Sequence, residues 1–342
     1  MHRSISPCFP LLALILATSC ASTPRADLPP PTPVPGRFAI AIHGGAGTIE
    51  RTAPAAQLEA YRASRHAALT VGRDRLARGD SALDVSEAVV RLMEDDPLFN
   101  AGKGAAFNEK GEHELDASIM AGHTLACGAV AGVRTVKNPI SLARRVMEQT
   151  RHVLLMGDGA EDFATAMGVE RVPNTSFDTE HRRRMLEETL RERAPRGAHL
   201  EGRADSPRNP YGTVGCVALD QRGNLAAATS TGGLTAKKYG RVGDAPIIGA
   251  GNYADRFVAV SGTGEEFIRH NVARTVAARV QFAGQTLAAA ANAVVFHTLK
   301  KDDGGIIAVD SAGNLAAVFN SAGMYRGLAD SSGRFDVRIF ED

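Results

Sequence analysis

The chain has 342 residues, of which 44% are hydrophobic, so it has enough apolar material for one large domain or two smaller ones. Lysine and arginine together number 39 and aspartate and glutamate 38, which gives a formal net charge of +1 and argues against nucleic acid as a partner. Thirty-five glycines and no tryptophan are typical of a turn-rich α/β protein with narrow packing between its layers.

The first 36 residues are predicted to be a targeting segment and a tether rather than part of the fold. Residues 1–20 have a short basic start and an apolar run that is too short to span a membrane as a helix. The run ends in Ala-Thr-Ser-Cys, which resembles a bacterial lipoprotein cleavage box, so Cys20 is predicted to carry a lipid. Ordinary secretion with cleavage at nearby small residues is the alternative. Residues 21–36 are proline-rich and predict a tether. The expected location is the periplasm, with membrane contact only through the lipid anchor.

A predicted strand over 37–42 leads into the loop HGGAG at 43–47. A glycine loop after a strand can cradle phosphate, but the GxGxxG and GK[ST] spacings are missing here. HGG loops also form oxyanion holes in serine α/β-hydrolases, which need a G-x-S-x-G elbow that this sequence lacks. We therefore interpret the loop as structural, with glycines that let it pack against a functional site.

Two helices and a loop are predicted next. Apolar residues recur at helical spacing over 55–78, and Ser81 is placed to cap a second helix directly after it. Pro97 and the glycines of MEDDPLFNAGKG then predict a loop over 93–104, whose acids lack the EF-hand spacing. Asn100 is the candidate functional residue of this loop, because its amide can donate to a hydroxyl or to a substrate oxygen.

Alternating elements follow, as in an α/β protein. The segment 113–133 predicts a hairpin, and a strand over 152–156 is expected between helices at 139–150 and 161–167. Residues 174–212 are highly charged and hold prolines and glycines. A nucleic-acid patch would need interleaved aromatic residues, so we expect a solvated helix followed by a charged flexible linker.

The histidines and cysteines of the central region do not predict a metal site. His113 and His123 lack neighbours that would complete a ligand set, and no CxxC or HExxH pattern is present, which argues against zinc. Cys127 and Cys216 both lie in apolar runs. We expect two buried free thiols, with a disulfide between them as the alternative.

The most informative stretch covers residues 212–244. Two short apolar runs flank a Gln-Arg-Gly-Asn turn and predict a β-hairpin that brings Thr213 and Thr231 together. The glycine-rich segment after the hairpin can bend Arg241 and Asp244 back over the same edge. Because Arg241 offers a planar fork for a carboxylate and Asp244 an acceptor for an ammonium, the stretch predicts a site for a zwitterionic amino acid beside a nucleophilic hydroxyl.

The last hundred residues complete the α/β pattern. They predict a strand over 257–260, helices over 266–282 and 286–299, and a second hairpin over 306–318. The sequence IIAVDSAGNLAAV of that hairpin echoes VALDQRGNLAAA at 217–228. The echo indicates either a duplicated hairpin or one good turn used twice.

GTVGCVALD, ATSTGG and GRVGD, in this order, resemble the plant-type asparaginase / isoaspartyl peptidase family of N-terminal-nucleophile (Ntn) hydrolases. The resemblance extends from HGGAG at 43–47 to FNSAGMYRG at 319–327. It implies a precursor that cuts itself between Gly212 and Thr213. It also implies a four-layer αββα sandwich built from both fragments, an α subunit over residues 37–212 and a β subunit over 213–342.

Such a cut would supply the base that the hydroxyl of Thr213 lacks. A threonine hydroxyl is a poor nucleophile by itself, but an α-amine has a reference pKa of roughly 7.7–8.0 and can take its proton. The uncut chain has no such amine and is therefore predicted to be inactive. The resemblance assigns to Thr231 the role of orienting Thr213.

The resemblance further implies an oxyanion hole formed by Thr263 and Gly264, with Asn100 beside the nucleophile. Because the sequence is shorter than the family pattern directly after Gly264, Ser261 and Gly262 are the alternative pair. No cofactor is expected for catalysis. A structural sodium ion is implied in the loop over 93–104, bound by the backbone carbonyls of Met93, Glu94, Asp96, Phe99, Ala101 and Lys103.

The predicted activity is the hydrolysis of L-asparagine and of β-aspartyl (isoaspartyl) dipeptides, with release of L-aspartate. The family resemblance implies that two processed molecules pair as a dimer of heterodimers. Two alternatives remain at this stage: a glycosylasparaginase-like hydrolase of N-glycosylated asparagine, and a non-catalytic lipoprotein that binds amino acids.

Overall fold

A computed structural model describes residues 32–47, 53–193 and 212–340. The predicted export signal and Cys20 lie outside these residues. The strands are β1 (Ala39–Gly47), β2 (Leu115–Ala121), β3 (Cys127–Val133), β4 (Leu154–Met156), β5 (Val214–Leu219), β6 (Leu225–Thr231), β7 (Asn252–Ala254), β8 (Val258–Thr263), β9 (Gly305–Asp310), β10 (Leu315–Phe319), β11 (Gly323–Asp330) and β12 (Phe335–Arg338). The helices are α1 (Ala55–Ala77), α2 (Ala82–Glu94), α3 (Pro139–Gln149), α4 (Gly157–Ala166), α5 (Glu180–Arg193), α6 (Glu266–His270), α7 (Val272–Gln281) and α8 (Leu287–His297).

The strands form two stacked sheets. The larger has eight strands in the order β12-β11-β1-β5-β6-β2-β3-β4, and the smaller has four in the order β10-β9-β8-β7. Helices α1, α2 and α3 pack on the outer face of the larger sheet, and α7 and α8 pack on the smaller one. The predicted αββα sandwich is therefore confirmed.

Small apolar residues fill the space between the two sheets. Ala41, Val217 and Ala227 of the larger sheet meet Ala259 and Ile307 of the smaller sheet in one buried cluster. Alternation along each strand sends the other apolar side chains outward, where the helices cover them. Both faces of the central strands β5 and β6 are thus buried, which fixes the position of the residues at their ends.

The hairpin β5–β6 is set by its turn. The carboxylate of Asp220 accepts the backbone N–H groups of Arg222 and Asn224, each at 2.9 Å, and Gly223 adopts φ +80°. Asp310 accepts two backbone N–H groups in the same way in the turn between β9 and β10, where Gly313 adopts φ +84°. The sequence echo therefore corresponds to the same turn geometry in both sheets.

Two segments differ from the sequence-based expectation. The helix expected over 266–282 is broken at Asn271, whose left-handed backbone (φ +45°) separates α6 from α7. The charged segment over 174–212 contains α5, and this helix is not simply solvated. Its Arg182 is 1% exposed and donates to the carbonyl of Gly104, because the buried guanidinium finds an acceptor in the neighbouring loop. Residues 194–211 lie outside the described part of the chain.

Cys127 and Cys216 are both free in the structure, as the thiol interpretation predicts. Cys216 is buried and Cys127 half-buried. Burial raises the pKa of the Cys216 thiol to about 12, so it is unreactive at neutral pH. Among the described residues, no helix combines the length and apolar character needed to cross a bilayer.

Candidate active site

Three threonine hydroxyls meet at one edge of the sandwich. Thr213 directly precedes β5 and Thr231 ends β6, and the pairing of Val214 with Ser230 places the two threonines side by side. The Oγ1 of Thr213 donates to the Oγ1 of Thr231 at 3.1 Å, and the Oγ1 of Thr263 donates to Thr213 at 3.2 Å. The predicted nucleophile is therefore bonded on both sides, which restricts the direction in which its hydroxyl points.

Thr231 is itself held in place by the loop that follows it. Its Oγ1 accepts the backbone N–H of Gly233 at 3.0 Å. Asn100 supports the same loop, because its Nδ2 donates to the carbonyl of Gly233 at 2.7 Å while its Oδ1 accepts from the N–H of Ala106 at 2.7 Å. Asn100 thus lines the cavity that contains Thr213, but its observed contacts position the loop rather than a substrate.

The predicted cleavage point lies against Gly45. Residues 43–47, which the sequence predicts as a loop, instead continue strand β1, with a register shift between His43 and Ala46. Gly45 adopts φ +104°, and a Cβ on Gly45 would come within 2.6 Å of the backbone of Gly212. Any side chain at Gly45 would therefore collide with the peptide that is expected to be cut. This close approach agrees with the structural role that the sequence predicts for the HGGAG loop.

Ser261 and Thr263, the two candidates for the oxyanion hole, face different environments. The Oγ of Ser261 is buried and hydrogen-bonded to the ring Nε2 of His43 at 3.0 Å and to Thr229 at 2.8 Å. Thr263 instead lines the cavity that contains Thr213. Of the two hydroxyls, that of Thr263 is the one beside the nucleophile.

His43 is a residue whose part in the site the sequence did not reveal. It is 0% exposed, and burial lowers its pKa to about 3. The ring is therefore neutral at physiological pH, and it joins Ser261 under the strand that carries the nucleophile. A Cβ at Gly215 would collide with both side chains. A glycine inside a strand often marks such a close approach, and Gly215 was the available signal.

Arg241 and Asp244 line the same cavity, whose volume is about 500 Å³. The Nη2 of Arg241 is paired with the carboxylate of Glu265, and a Coulombic attraction links Arg241 to Asp244. Asp244 is 5% exposed, and its Oδ2 has no hydrogen-bond partner among the described residues. Burial raises its pKa to about 7, against the lowering effect of Arg241. A buried carboxylate oxygen without a donor is what a bound ammonium group would satisfy.

The loop over 93–104 curls around its own carbonyl groups. Gly102 has φ +50°, and a Cβ there would collide with the carbonyl of Glu94. A Cβ at Gly104 would collide with the carbonyls of Phe99 and Pro97. The carbonyls of Asp96 and Ala101 already accept long backbone bonds of 3.3 and 3.2 Å. No cluster of three or more acidic, histidine or cysteine side chains is found among the described residues, so a metal here would rely on carbonyl oxygens.

Glu94 connects this loop to the nucleophile hairpin. Its side chain is 0% exposed and accepts the hydroxyl of Ser230 at 2.6 Å and the N–H of Ile140 at 3.0 Å. Burial raises the pKa of Glu94 to about 8, against the lowering effect of these hydrogen bonds. Since Ser230 precedes Thr231 in β6, the buried carboxyl of Glu94 joins the loop over 93–104 to the three threonine hydroxyls of the site.

Comparisons with known proteins agree with the family resemblance of the sequence motifs. A family described as asparaginase matches residues 36–339. An isoaspartyl peptidase of Escherichia coli is 50% identical over 297 residues, which cover 85% of this chain and 92% of the relative. A probable isoaspartyl peptidase/L-asparaginase 2 of Arabidopsis thaliana is 44% identical over 90% of this chain and 100% of the relative. An isoaspartyl peptidase/L-asparaginase of Mus musculus is 43% identical over 83% and 86%, respectively.

These comparisons contradict the predicted periplasmic, lipid-anchored location. The chain matches isoaspartyl peptidases of E. coli, Arabidopsis and mouse over most of its length, and this match contradicts an exported, anchored lipoprotein, so the location prediction was wrong. It depended on a short apolar run and a few small residues before Cys20. Such a run needs only hydrophobic composition, and it carries far less information than ordered motifs across 300 residues.

Proposed function

The chain belongs to the asparaginase family of Ntn hydrolases, and we propose that it is a threonine-nucleophile amidohydrolase that cuts itself between Gly212 and Thr213. Its proposed reaction is the hydrolysis of L-asparagine and of β-aspartyl dipeptides, with release of L-aspartate. The observation that carries the proposal is the row of three hydroxyls: Thr213 at the end of a buried hairpin is hydrogen-bonded to Thr231 and Thr263, and all three line a cavity that Arg241 also lines.

Self-cleavage would use the same hydroxyl that later attacks the substrate. The Oγ of Thr213 adds to the carbonyl carbon of Gly212, and the C–N bond breaks as the nitrogen of Thr213 takes up a proton. Water then hydrolyses the resulting ester, leaving a carboxylate on Gly212 and a free α-amine on Thr213. The hydroxyl of Thr263 lies 3.2 Å from the attacking oxygen and is placed to donate to the developing oxyanion.

Substrate hydrolysis would follow with the new amine as base. The amine of Thr213, with a reference pKa of roughly 7.7–8.0, takes the Oγ proton as the oxygen attacks the side-chain carbonyl of the aspartyl unit. The amine then returns a proton to the departing nitrogen, and a β-aspartyl ester on Thr213 remains. Water activated by the same amine releases L-aspartate. Thr231 keeps the hydroxyl oriented, while Thr263 and the backbone N–H of Gly264 stabilise the oxyanion.

Arg241 and Asp244 are proposed to hold the aspartyl unit at its α-carbon. The guanidinium of Arg241 takes the α-carboxylate, which would displace Glu265 from it. The oxygen of Asp244 that lacks a donor takes the α-ammonium. With both groups fixed, the side-chain carbonyl is the part of the substrate left to face Thr213.

We expect the two proposed fragments, residues 37–212 and 213–342, to stay together after the cut. Strands β5 and β6 of the second fragment lie between β1 and β2 of the first and are hydrogen-bonded to both. Strand β11 of the second fragment is also paired with β1, so separating the fragments would break three strand junctions and expose six strand edges and the core beneath them. We further propose that two processed molecules pair as a dimer of heterodimers, which light scattering would test.

The activity is tested by measuring L-aspartate release from L-asparagine and from β-aspartyl-leucine after incubation of the protein at neutral pH. We expect both substrates to be hydrolysed. Hydrolysis of N-glycosylated asparagine with no action on either simple substrate would instead identify a glycosylasparaginase. Binding of aspartate without turnover of any of the three would contradict the enzymatic proposal.

We also propose that the loop over 93–104 binds a structural sodium ion, with the carbonyls of Met93, Glu94, Asp96, Phe99, Ala101 and Lys103 as ligands. The inward-facing carbonyls near Gly102 and Gly104 support this set, and no catalytic step uses the ion. A ligand present at a hundred times its Kd stabilises the folded state by about 2.7 kcal/mol. We expect a Tm higher by several degrees in NaCl than in choline chloride at equal ionic strength. Equal Tm values in the two salts would contradict a sodium site.

A further inference from the structure

The active-site cavity carries more negative charge than the aspartyl unit requires. Besides Arg241 and Asp244, its charged lining residues among those described are Glu265, Asp302 and Asp303. In the proposed function Arg241 and Asp244 are matched by the α-carboxylate and α-ammonium of the substrate. Three acids then remain, and no lysine, arginine or histidine among the described lining residues opposes them.

Glu265 is released by the binding of the aspartyl unit. In the substrate-free structure its carboxylate is paired with Arg241. Once the α-carboxylate of the substrate takes the guanidinium, Glu265 loses that partner and adds its charge to the wall of the cavity. Binding of the first half of the substrate therefore makes the remaining half of the cavity more acidic.

Asp302 and Asp303 are held against Thr263 and Gly264, the proposed oxyanion residues. A Cβ at Gly264 would collide with the carbonyl of Asp303, and a Cβ at Gly304 would collide with the carbonyl of Thr263. The carboxylate of Asp303 accepts the backbone N–H of Lys300 at 2.7 Å, and the N–H of Asp302 donates to the carbonyl of Asn320 at 3.2 Å. The acidic loop is thus fixed next to the point where the scissile bond must lie.

The cavity also has room for a ligand larger than asparagine. Its volume of about 500 Å³ is in the range of pockets that hold drug-sized ligands. Among its lining residues, the 5%-exposed side chain of Asp244 has an oxygen without a hydrogen-bond partner among the described residues. In the proposed function that oxygen takes the α-ammonium of the aspartyl unit, so the acids lie in a cavity already marked as a ligand site, and the space beyond the aspartyl unit is the space for the leaving group.

We propose that Glu265, Asp302 and Asp303 form a leaving-group subsite that selects β-aspartyl dipeptides whose second residue is lysine or arginine. This inference rests on the proposed function and specifies its substrate. A dipeptide brings its own terminal carboxylate toward these acids, which is unfavourable when the second residue is neutral and more so when it is acidic. A cationic side chain offsets that repulsion and pairs with the acids of the wall.

The test compares kcat/KM for β-aspartyl-lysine, β-aspartyl-leucine and β-aspartyl-glutamate in the processed enzyme at low ionic strength. We expect the lysine substrate to exceed the leucine substrate by up to about fivefold, the upper end of what one partly exposed ion pair contributes. The glutamate substrate should be the poorest. The lysine-to-leucine ratio should fall as KCl is raised to screen the charges.

The double variant Asp302→Asn/Asp303→Asn isolates the charges from the loop geometry. Asparagine tolerates the left-handed backbone of Asp302 (φ +68°) and still offers an acceptor to the N–H of Lys300. We expect the lysine-to-leucine ratio to drop toward one in this variant. Asp162→Asn, at an exposed position on α4, should leave the ratio as it is.

The outcomes separate this inference from the function on which it rests. Equal rates for the lysine and leucine substrates overturn the subsite, and so does a lysine preference that survives the double variant. Hydrolysis of asparagine without hydrolysis of any dipeptide also overturns it, while leaving the amidohydrolase intact. No hydrolysis of asparagine or of any dipeptide would reject the proposed function itself. If the double variant does not mature, the KCl dependence of the unmodified enzyme decides.

Discussion

Replacing Thr213 by alanine should leave the chain uncut and without amidohydrolase activity. The variant lacks the hydroxyl that attacks the carbonyl of Gly212, and without the cut no α-amine is made. Loss of a nucleophile in a hydrolase lowers kcat on the order of 10⁴-fold or more. The measurement is the intact mass after incubation at neutral pH, followed by L-aspartate release from asparagine. We expect one mass for the variant and two fragments, the second beginning at Thr213, for the unmodified protein.

Two further variants make this result specific to one hydroxyl. Thr213→Ser keeps an oxygen at the same place and should still be cut, although more slowly, because the serine side chain has more rotamer freedom. Thr70→Ala removes a buried hydroxyl of α1 that has no hydrogen-bond partner among the described residues, so processing should be normal. Normal cutting of Thr213→Ala would show that the nucleophile has been assigned to the wrong residue.

The central hairpin could be predicted because everything that determines it is local. The Asp-Gln-Arg-Gly-Asn turn sets the register, and the register then places Thr213 against Thr231 with no information from distant residues. Arg241 and Asp244 follow within a short glycine-rich segment, so their approach to the same edge was also predictable. The four-layer order followed from the alternation of elements together with the family resemblance.

The buried polar network behind the nucleophile could not be predicted in this way. His43 and Ser261 are 218 positions apart in the sequence and meet only because β1 and β8 face each other across the two sheets. Similarly, Arg182 reaches Gly104 from a segment whose composition alone indicates solvated chain. Such contacts depend on how sheets and helices stack, and neither periodicity nor composition contains that information.

Asn100 shows the limit of transferring a role from a motif. The motif placed the residue beside the nucleophile, and the structure has it lining that cavity. However, the amide has two donors and one acceptor, and the structure uses Nδ2 and Oδ1 to tie Gly233 to Ala106. A motif specifies a position in the fold, whereas the partner of a side chain is decided by the loops that pack around it.

The pH dependence of kcat/KM should reveal the ionisation of Asp244, which is proposed to hold the α-ammonium of the substrate. Burial raises the pKa of Asp244 to about 7, and only its ionised form can hold the α-ammonium of the substrate. The α-amine of Thr213 must be neutral to act as base, and its reference pKa is roughly 7.7–8.0. Both groups therefore have to lose a proton. Below pH 7 we expect log kcat/KM to fall with a slope that approaches two per pH unit.

Asp244→Asn should lower kcat/KM and should also change the slope of its pH dependence. Asparagine cannot pair with an ammonium, and truncating one partner of a buried charge pair costs about 2–5 kcal/mol, so kcat/KM at pH 8 should fall by a factor on the order of 10² or more. Because only the amine then titrates, the slope below pH 7 should drop to one. Asp162→Asn on α4, which removes an exposed carboxylate, should keep a slope of two. A slope of two in Asp244→Asn would contradict the role of Asp244. A different acid would then titrate in the free enzyme, and another group of the cavity wall would hold the ammonium.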